Sequence, residues 1–288
     1  MFSPIDLALT GKRVATLIVV SALAAGCAGG GAPSPTWTYA SPGPQPSAIA
    51  TPTAAPAATS APPTERPAAF QRNPAPIVDG TAYVQHIDPT DFVAAVDHPF
   101  LTLTPGTKFV FDGSEHVEII VLPETKLILG VPTTAVQDRV YIDGVLEEDT
   151  LDWYAQDRDG NVWYFGEQTA ELDKNGKVTS TAGSWVGGVD GAQPGIVMLA
   201  VPQAGDSYRQ EYHAGDAEDL GTITALTGSI TVMGTAYSGA DVIVTEEWTP
   251  LEPAIRERKT YVRGFGVVES RTIKGGDDLT SLTSVTKP

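Results

Sequence analysis

Four carboxylates, Glu148, Asp152, Glu167 and Glu171, fall at spacings that can bring them to one place. The grouping follows from three dipeptides, Asp143-Gly144, Asp159-Gly160 and Asn175-Gly176, set sixteen residues apart. Asp-Gly and Asn-Gly favour two-residue hairpin turns, because both central residues take φ > 0. With such a turn at each dipeptide, cross-strand partners have residue numbers that sum to 287, 319 and 351. Asp152 then stands opposite Glu167, and Arg139 opposite Glu148. Like charges directly opposite one another destabilise a sheet.

Three readings of the Asp152–Glu167 pair stay open. The face can be solvated, so that water and salt screen the repulsion. A bulge or a longer turn can slip the register, and a slip of one residue would carry Trp163 and Phe165 inside. Or Glu148, Asp152, Glu167 and Glu171 gather a hard cation or a polyhydroxyl ligand; oxygen-only ligands suit Ca²⁺ rather than a transition metal. Paired carboxylates also suit glycoside hydrolysis, with separations of about 5 Å in retaining and about 6.5–9.5 Å in inverting enzymes. Cross-strand neighbours meet the first distance.

The same register sorts the aromatics. One face carries Val136, Leu151, Trp153, Ala155, Tyr164, Leu172 and Trp185, a core face with Gly166 between two indoles. The other carries Arg139, Glu148, Asp152, Tyr154, Gln156, Trp163, Phe165, Glu167 and Glu171. Tyr154, Gln156, Trp163 and Phe165 on that face, with Tyr208 from the polar-aromatic run 206–213, make a candidate ligand face on which sugar rings or fatty chains can stack.

Other chemistry is poorly supported. The stretches 157–161 and 171–176 look like calcium loops, but the residues at the twelfth position are Gly166 and Ala182, and the flanks read as strands. No Gly-x-Ser-x-Gly surrounds Ser184, Ser207 or Ser229, and there is no His-Glu-x-x-His. His86, His98, His116 and His213 lack metal-ligand spacing. No Gly-rich phosphate loop follows a strand and opens a helix, so nucleotide binding is not expected.

Period-two alternation dominates the elements that must hold these residues. The spans 108–111, 116–122, 126–130, 140–142, 241–247, 259–262 and 266–270 read as strands bounded by Gly, Pro or Asp. Helix signals are confined to 89–96, with Thr90 as N-cap, and to 216–220. The expected fold is all-β: a long antiparallel meander with one or two short helices. Fourteen-residue strands would span about 46 Å, so the sheet should twist and curl into a barrel, half-barrel or sandwich.

The ends of the chain say where this domain lives. Lys12 and Arg13 precede an apolar run, 14–25, about as long as a signal-peptide core and too short to span a bilayer. It ends in Leu23-Ala24-Ala25-Gly26-Cys27, which resembles a bacterial lipobox and implies acylation of Cys27 after cleavage. Cys27 is the single Cys, so no internal disulfide is expected. Residues 28–76 hold twelve of the 23 prolines among Ala, Ser, Thr and Gly, a composition that cannot bury enough apolar surface to order itself. The organisation read is therefore a signal at 1–27, a disordered tether at 28–76 and one all-β extracytoplasmic domain at 77–288. A formal charge of −17 repels nucleic acid and anionic headgroups. The expected partners are a membrane, through the lipid on Cys27, and a glycan, lipid or envelope protein. No nucleic acid is expected.

Two stretches carry resemblances. The tail 261–268, Tyr-Val-Arg-Gly-Phe-Gly-Val-Val, looks like the closing hairpin of exported bacterial β-proteins of the lipoprotein-carrier type. The block 152–167, Asp-Trp-Tyr-Ala-Gln-Asp-Arg-Asp-Gly-Asn-Val-Trp-Tyr-Phe-Gly-Glu, resembles a group of secreted or lipid-anchored bacterial proteins, and the stretch 99–110 looks like the opening of the same domain. The resemblance covers most of residues 85–272. It implies localisation and domain extent but no activity. Together these readings imply a binding or structural lipoprotein on the outer face of the membrane, with a carboxylate-dependent glycan enzyme or a Ca-binding surface domain as alternatives.

Overall fold

The computed structural model describes residues 83–288. The signal 1–27 with Cys27, the tether 28–76 and the expected start of the domain at 77–82 lie outside the described residues.

The fold is all-β. Its main antiparallel sheet runs in the order Ser207–Arg209, Leu220–Ala225, Val242–Trp248, Arg256–Val262, Gly266–Lys274, Leu279–Thr286, Lys108–Gly113, His116–Ile128, Val131–Ile142, Val145–Asp157, Val162–Leu172, Gln193–Met198 and Glu211–Tyr212. The first and last of these are consecutive in sequence. Tyr208 pairs with Gly221 on one edge, and Glu211 pairs with Pro194 on the other. One short stretch, 207–212, thus stitches both edges and nearly closes the sheet into a barrel. Closure removes the exposed strand edges that invite aggregation. It needs close backbone approach: a Cβ on Gly195 would lie 2.3 Å from the Gln210 carbonyl carbon.

The turns behave as their sequences ask, with one refinement. Asp143 (φ 51°) and Gly144 (φ 78°) form the expected two-residue turn between Ile142 and Val145. At the next two signals only the glycine is left-handed, Gly160 at 98° and Gly176 at 76°. There the chain closes through Asp157 N–H to Asn161 O and through Asp173 N–H to Lys177 O. Each is the longer loop in which a type I turn is followed by a left-handed Gly.

Bulges then move the register by one residue. Between the second and third long strands, pairing starts one residue short of expectation, with Tyr154 opposite Tyr164. A bulge at 165–166 restores the predicted sum, so that Asp152 does stand opposite Glu167. Gly166 serves this bulge with φ 141°, and a Cβ there would sit 2.5 Å from the Trp185 carbonyl oxygen. In the first hairpin the turn fits but a bulge intervenes, so Arg139 faces Asp149 rather than Glu148. Trp185 pairs with Glu167, one position from the expected Gly166.

The predicted helices are absent from the described residues. The span 89–96 holds only a 3₁₀ turn, Pro89–Asp91, whose cap is Asp88 and not Thr90. Phe92 and Val93 pair instead with Asp157 and Gln156, and Val96–His98 is a strand. The span 216–220 is a turn that leads into a strand. Sheet pairing outweighs helix propensity in both places.

Candidate functional site

Barrel closure decides which face is inside, and on strand Val145–Asp157 it reverses the sequence expectation. The row Glu148, Thr150, Asp152 and Tyr154 points inward, with Asp138 opposite Thr150 and Glu167 opposite Asp152. On Val145–Asp157 the row predicted to be outward therefore lines the interior, whereas on Val131–Ile142 Val136 is inside, opposite Asp152, and Arg139 outside, as expected. Asp152 and Glu167 are each 1% exposed. The bulge at 165–166 mixes the two predicted faces. Tyr164 and Trp185 join Asp152 and Glu167 inside, while Trp153, Ala155 and Trp163 lie on the outer side of the sheet, still buried.

How the interior tolerates so many acids is a question of protons. Burial, followed by the hydrogen bond from Tyr164 and the charge of Glu148, leaves Asp152 with a pKa raised to about 7; Tyr164 Oη donates to its Oδ1 at 2.7 Å. Burial and the nearby Asp152 and Glu148 push Glu167 well above the carboxylate range. Asp138 is buried, neither of its oxygens is hydrogen-bonded among the described residues, and burial beside Asp152, Glu148 and Glu115 raises it strongly too. Near neutral pH the Asp152–Glu167 pair is therefore not two anions in contact. At least one member keeps its proton, as two carboxyls sharing a site must.

A second acidic wall faces the first. Thr245 stands opposite Lys259, and Glu247 opposite Glu257. Lys259 is fully buried with its Nζ 2.7 Å from Glu247 Oε2. Burial opposes its charge, but Glu247 and Glu257 outweigh that and raise its pKa. Thr245 Oγ1 and Tyr261 Oη both donate to Glu247 Oε1, at 2.8 and 3.2 Å. Glu257 is raised to about 7 by burial, against the pull of Lys259. Sequence reading missed this wall. Its signal was the inward alternation Thr245, Glu247 on one strand and Glu257, Lys259, Tyr261 on the next.

The four carboxylates proposed for a cation do share the inner face: Glu148 pairs with Glu171 one row beyond Thr150–Thr169, and Asp152 with Glu167. Between the rows, Thr150 and Thr169 hydroxyls lie 2.7 Å apart. No group of three or more His, Cys, Asp or Glu side chains among the described residues is arranged to hold a metal ion.

The candidate ligand face does not survive as one surface. Tyr154 and Tyr208 are inside the barrel, both fully buried. Trp163 and Phe165 are covered by the chain's own Phe92, in edge contacts at 6.1 and 5.3 Å between centroids. The N-terminal segment thus occupies the place offered to a ligand. Gln156 lines a cavity.

That cavity, about 440 Å³, opens among the turns at one end of the barrel, lined by residues including Asp97, Phe100, Gln156, Asp159, Val201, Leu226, Ile243 and Arg263. Its wall is firmly built. The buried Asp157 carboxylate accepts from Asn161 N–H, Asn161 Nδ2 and Trp163 Nε1, each at 2.8 Å. Asn161 Oδ1 in turn accepts from Ala200 N–H at 2.9 Å, which docks the 199–203 loop. Gln156 grips Asp97 at two points: its Oε1 accepts Asp97 N–H at 3.0 Å, and its Nε2 donates to Asp97 Oδ1 at 2.7 Å. Arg263 lies over the Phe100 ring at 4.6 Å and donates from Nε to Asp241 at 3.1 Å. Burial holds the His98 pKa down to about 4, so its imidazole is neutral at pH 7, with Nδ1 accepting Phe100 N–H.

No protein-family model matches the sequence, and no curated protein does. Among solved structures the chain is similar to a candidate exported protein with a YmcC-like fold from Bacteroides fragilis, at 12% identity and a TM-score of 0.38 over 65% of this chain and 99% of that one. It is also similar to a candidate lipoprotein from Parabacteroides distasonis, at 10% identity and a TM-score of 0.36 over 65% of this chain and 98% of that one.

Proposed function

We propose that this chain is a membrane-tethered extracytoplasmic lipoprotein, acting as a binding module of the cell envelope. The lipid sits on Cys27, and the ligand site is the pocket at the barrel end. The observation that carries the reading is the order of segments: a short apolar run ending at Cys27, a proline-rich stretch, then a β-domain with a walled cavity. The pocket volume lies within the usual range for small-molecule sites. The glycan-enzyme alternative is weaker, because its carboxylates, Asp152 and Glu167, are inside the barrel, where a sugar ring has no contact with them.

Metabolic labelling with a radiolabelled fatty acid, followed by membrane fractionation, tests the anchor. The full-length chain should carry label and sediment with membranes, and Cys27→Ser should lose both. A Cys27→Ser chain that still sediments with membranes would overturn lipid anchoring.

A further inference from the structure

We infer that the end pocket selects a small ligand with an apolar body and a cationic amine. The inference deepens the binding-module reading above and rests on it, but not on the lipid anchor. Two exposed carboxylates, Asp97 and Asp159, stand on the rim. Among the described residues the one cationic side chain lining the pocket, Arg263, is already matched by Asp241, and its flat face lies on Phe100. His98 adds no positive charge at neutral pH. The rim therefore carries two formal negative charges that no lining cation offsets.

Below the rim the walls are apolar: Pro99, Val201, Pro202, Leu226 and Ile243. Val201 is 69% exposed, so apolar surface is left open to whatever fills the cavity. The Gln156 grip uses one oxygen of Asp97; the other, Oδ2, makes no hydrogen bond among the described residues and is free to accept from an ammonium. A carboxylate held by a neighbour loses little freedom when it binds, which is how preorganised sites gain affinity. An anionic or purely apolar ligand would meet the same walls but an opposing or indifferent rim.

Titration calorimetry of the full-length chain in detergent, at pH 7 and low salt, separates the possibilities. The probes are hexylammonium, hexanol and hexanoate, which share an apolar body and differ in head charge. Hexylammonium should bind with 1:1 stoichiometry, roughly tenfold more tightly than hexanoate, as two partly exposed charge contacts allow. Asp97→Asn with Asp159→Asn should abolish that preference while hexanol binding stays unchanged, which shows that the pocket is still formed. Hexanoate or hexanol binding as tightly as hexylammonium would overturn the cationic preference and leave a binding pocket standing. No binding by any probe would overturn both this inference and the pocket's role as the ligand site.

Discussion

Raising the pH should loosen this barrel, and the interior says by how much. Asp152 holds its proton to about pH 7 when folded, against 3.8 for the free side chain. An acid bound more tightly in the folded state draws stability from that proton. Below both pKa values the two states bind it equally. Between about 4 and 7 the unfolded chain has released it and the folded one has not, so stability falls as pH rises. Asp152 alone, over roughly three pKa units at 1.36 kcal/mol each, accounts for about 4 kcal/mol lost by pH 8. Glu148 and Glu257, raised to about 7, and Glu115, raised to about 8 by burial and its acidic neighbours, act in the same sense. His98 acts in the opposite sense. Its folded pKa of about 4 makes the unfolded chain bind the extra proton up to about pH 6.5, and this part of stability rises with pH.

The cleanest window is therefore pH 6.5 to 8, where the His98 contribution fades. Each carboxyl that keeps its proton in the folded state there adds up to one proton, about 1.4 kcal/mol per pH unit, to the slope. Glu167 and Asp138, raised well above the carboxylate range, hold theirs through the window, so the slope should be at least one proton. That is a loss of at least about 2 kcal/mol across the window, a large share of the 5–15 kcal/mol typical of a folded domain. Urea unfolding at pH 6.5, 7.0, 7.5 and 8.0, at constant ionic strength, measures it. Asp152→Asn keeps the shape and removes one titrating group, so its slope should be visibly shallower. A wild-type slope of zero or above in this window would refute the reasoning, as would an Asp152→Asn slope equal to wild type.

Three further outcomes follow from the same geometry. Lys259→Met should destabilise by about 3–5 kcal/mol at pH 7, because Glu247 loses its buried ion-pair partner; urea midpoints check this. Asp157→Ala should cost about 2–4 kcal/mol, since it orphans the Trp163 indole N–H and two Asn161 donors. It should also weaken hexylammonium binding by loosening the pocket wall, read by calorimetry at a temperature where the variant stays folded. Millimolar Ca²⁺ should leave the melting midpoint within about 1 °C, because it would have to displace protons held by Glu167 and Asp138. A rise of several degrees reversed by EDTA would instead place a cation among Glu148, Asp152, Glu167 and Glu171.

The fold class was legible because period-two alternation and turn chemistry are local. Asp143-Gly144 even predicted its turn type, and the Asp152–Glu167 opposition came out as expected. That second agreement has two causes that cancel. The loop at Asp157–Asn161 takes one residue more than a two-residue turn, and the bulge at Gly166 gives it back. Which face is inside was not legible. It depends on 207–212 pairing with strands on both edges, a contact between distant parts of the sequence that no local pattern encodes. The helix expected at 89–96 failed for the same reason, since Phe92 and Val93 gain sheet partners at Asp157 and Gln156. The pocket was missed because its charged residues, Asp97, Asp159 and Arg263, come from one short strand and two turns far apart in the sequence, and of its lining only Gln156 had been proposed for a ligand face.

The two acidic regions of the molecule differ in kind, and the difference follows from water. Asp138, Asp152, Glu167 and Glu257 are enclosed, and enclosure makes the neutral acid the favoured form. A carboxylic acid that keeps its proton donates a hydrogen bond and repels no neighbour, so the interior can hold facing acids without a bound cation. The same proton makes it a poor ligand for one. Asp97, on a short strand, and Asp159, in a turn, are exposed beside an apolar cavity, where a carboxylate can stay hydrated until a partner arrives. Composition alone counts all 35 acidic residues as equivalent charges. The barrel separates them: the enclosed four respond to pH, while Asp97 and Asp159 stand exposed at the rim of the pocket proposed to take the ligand.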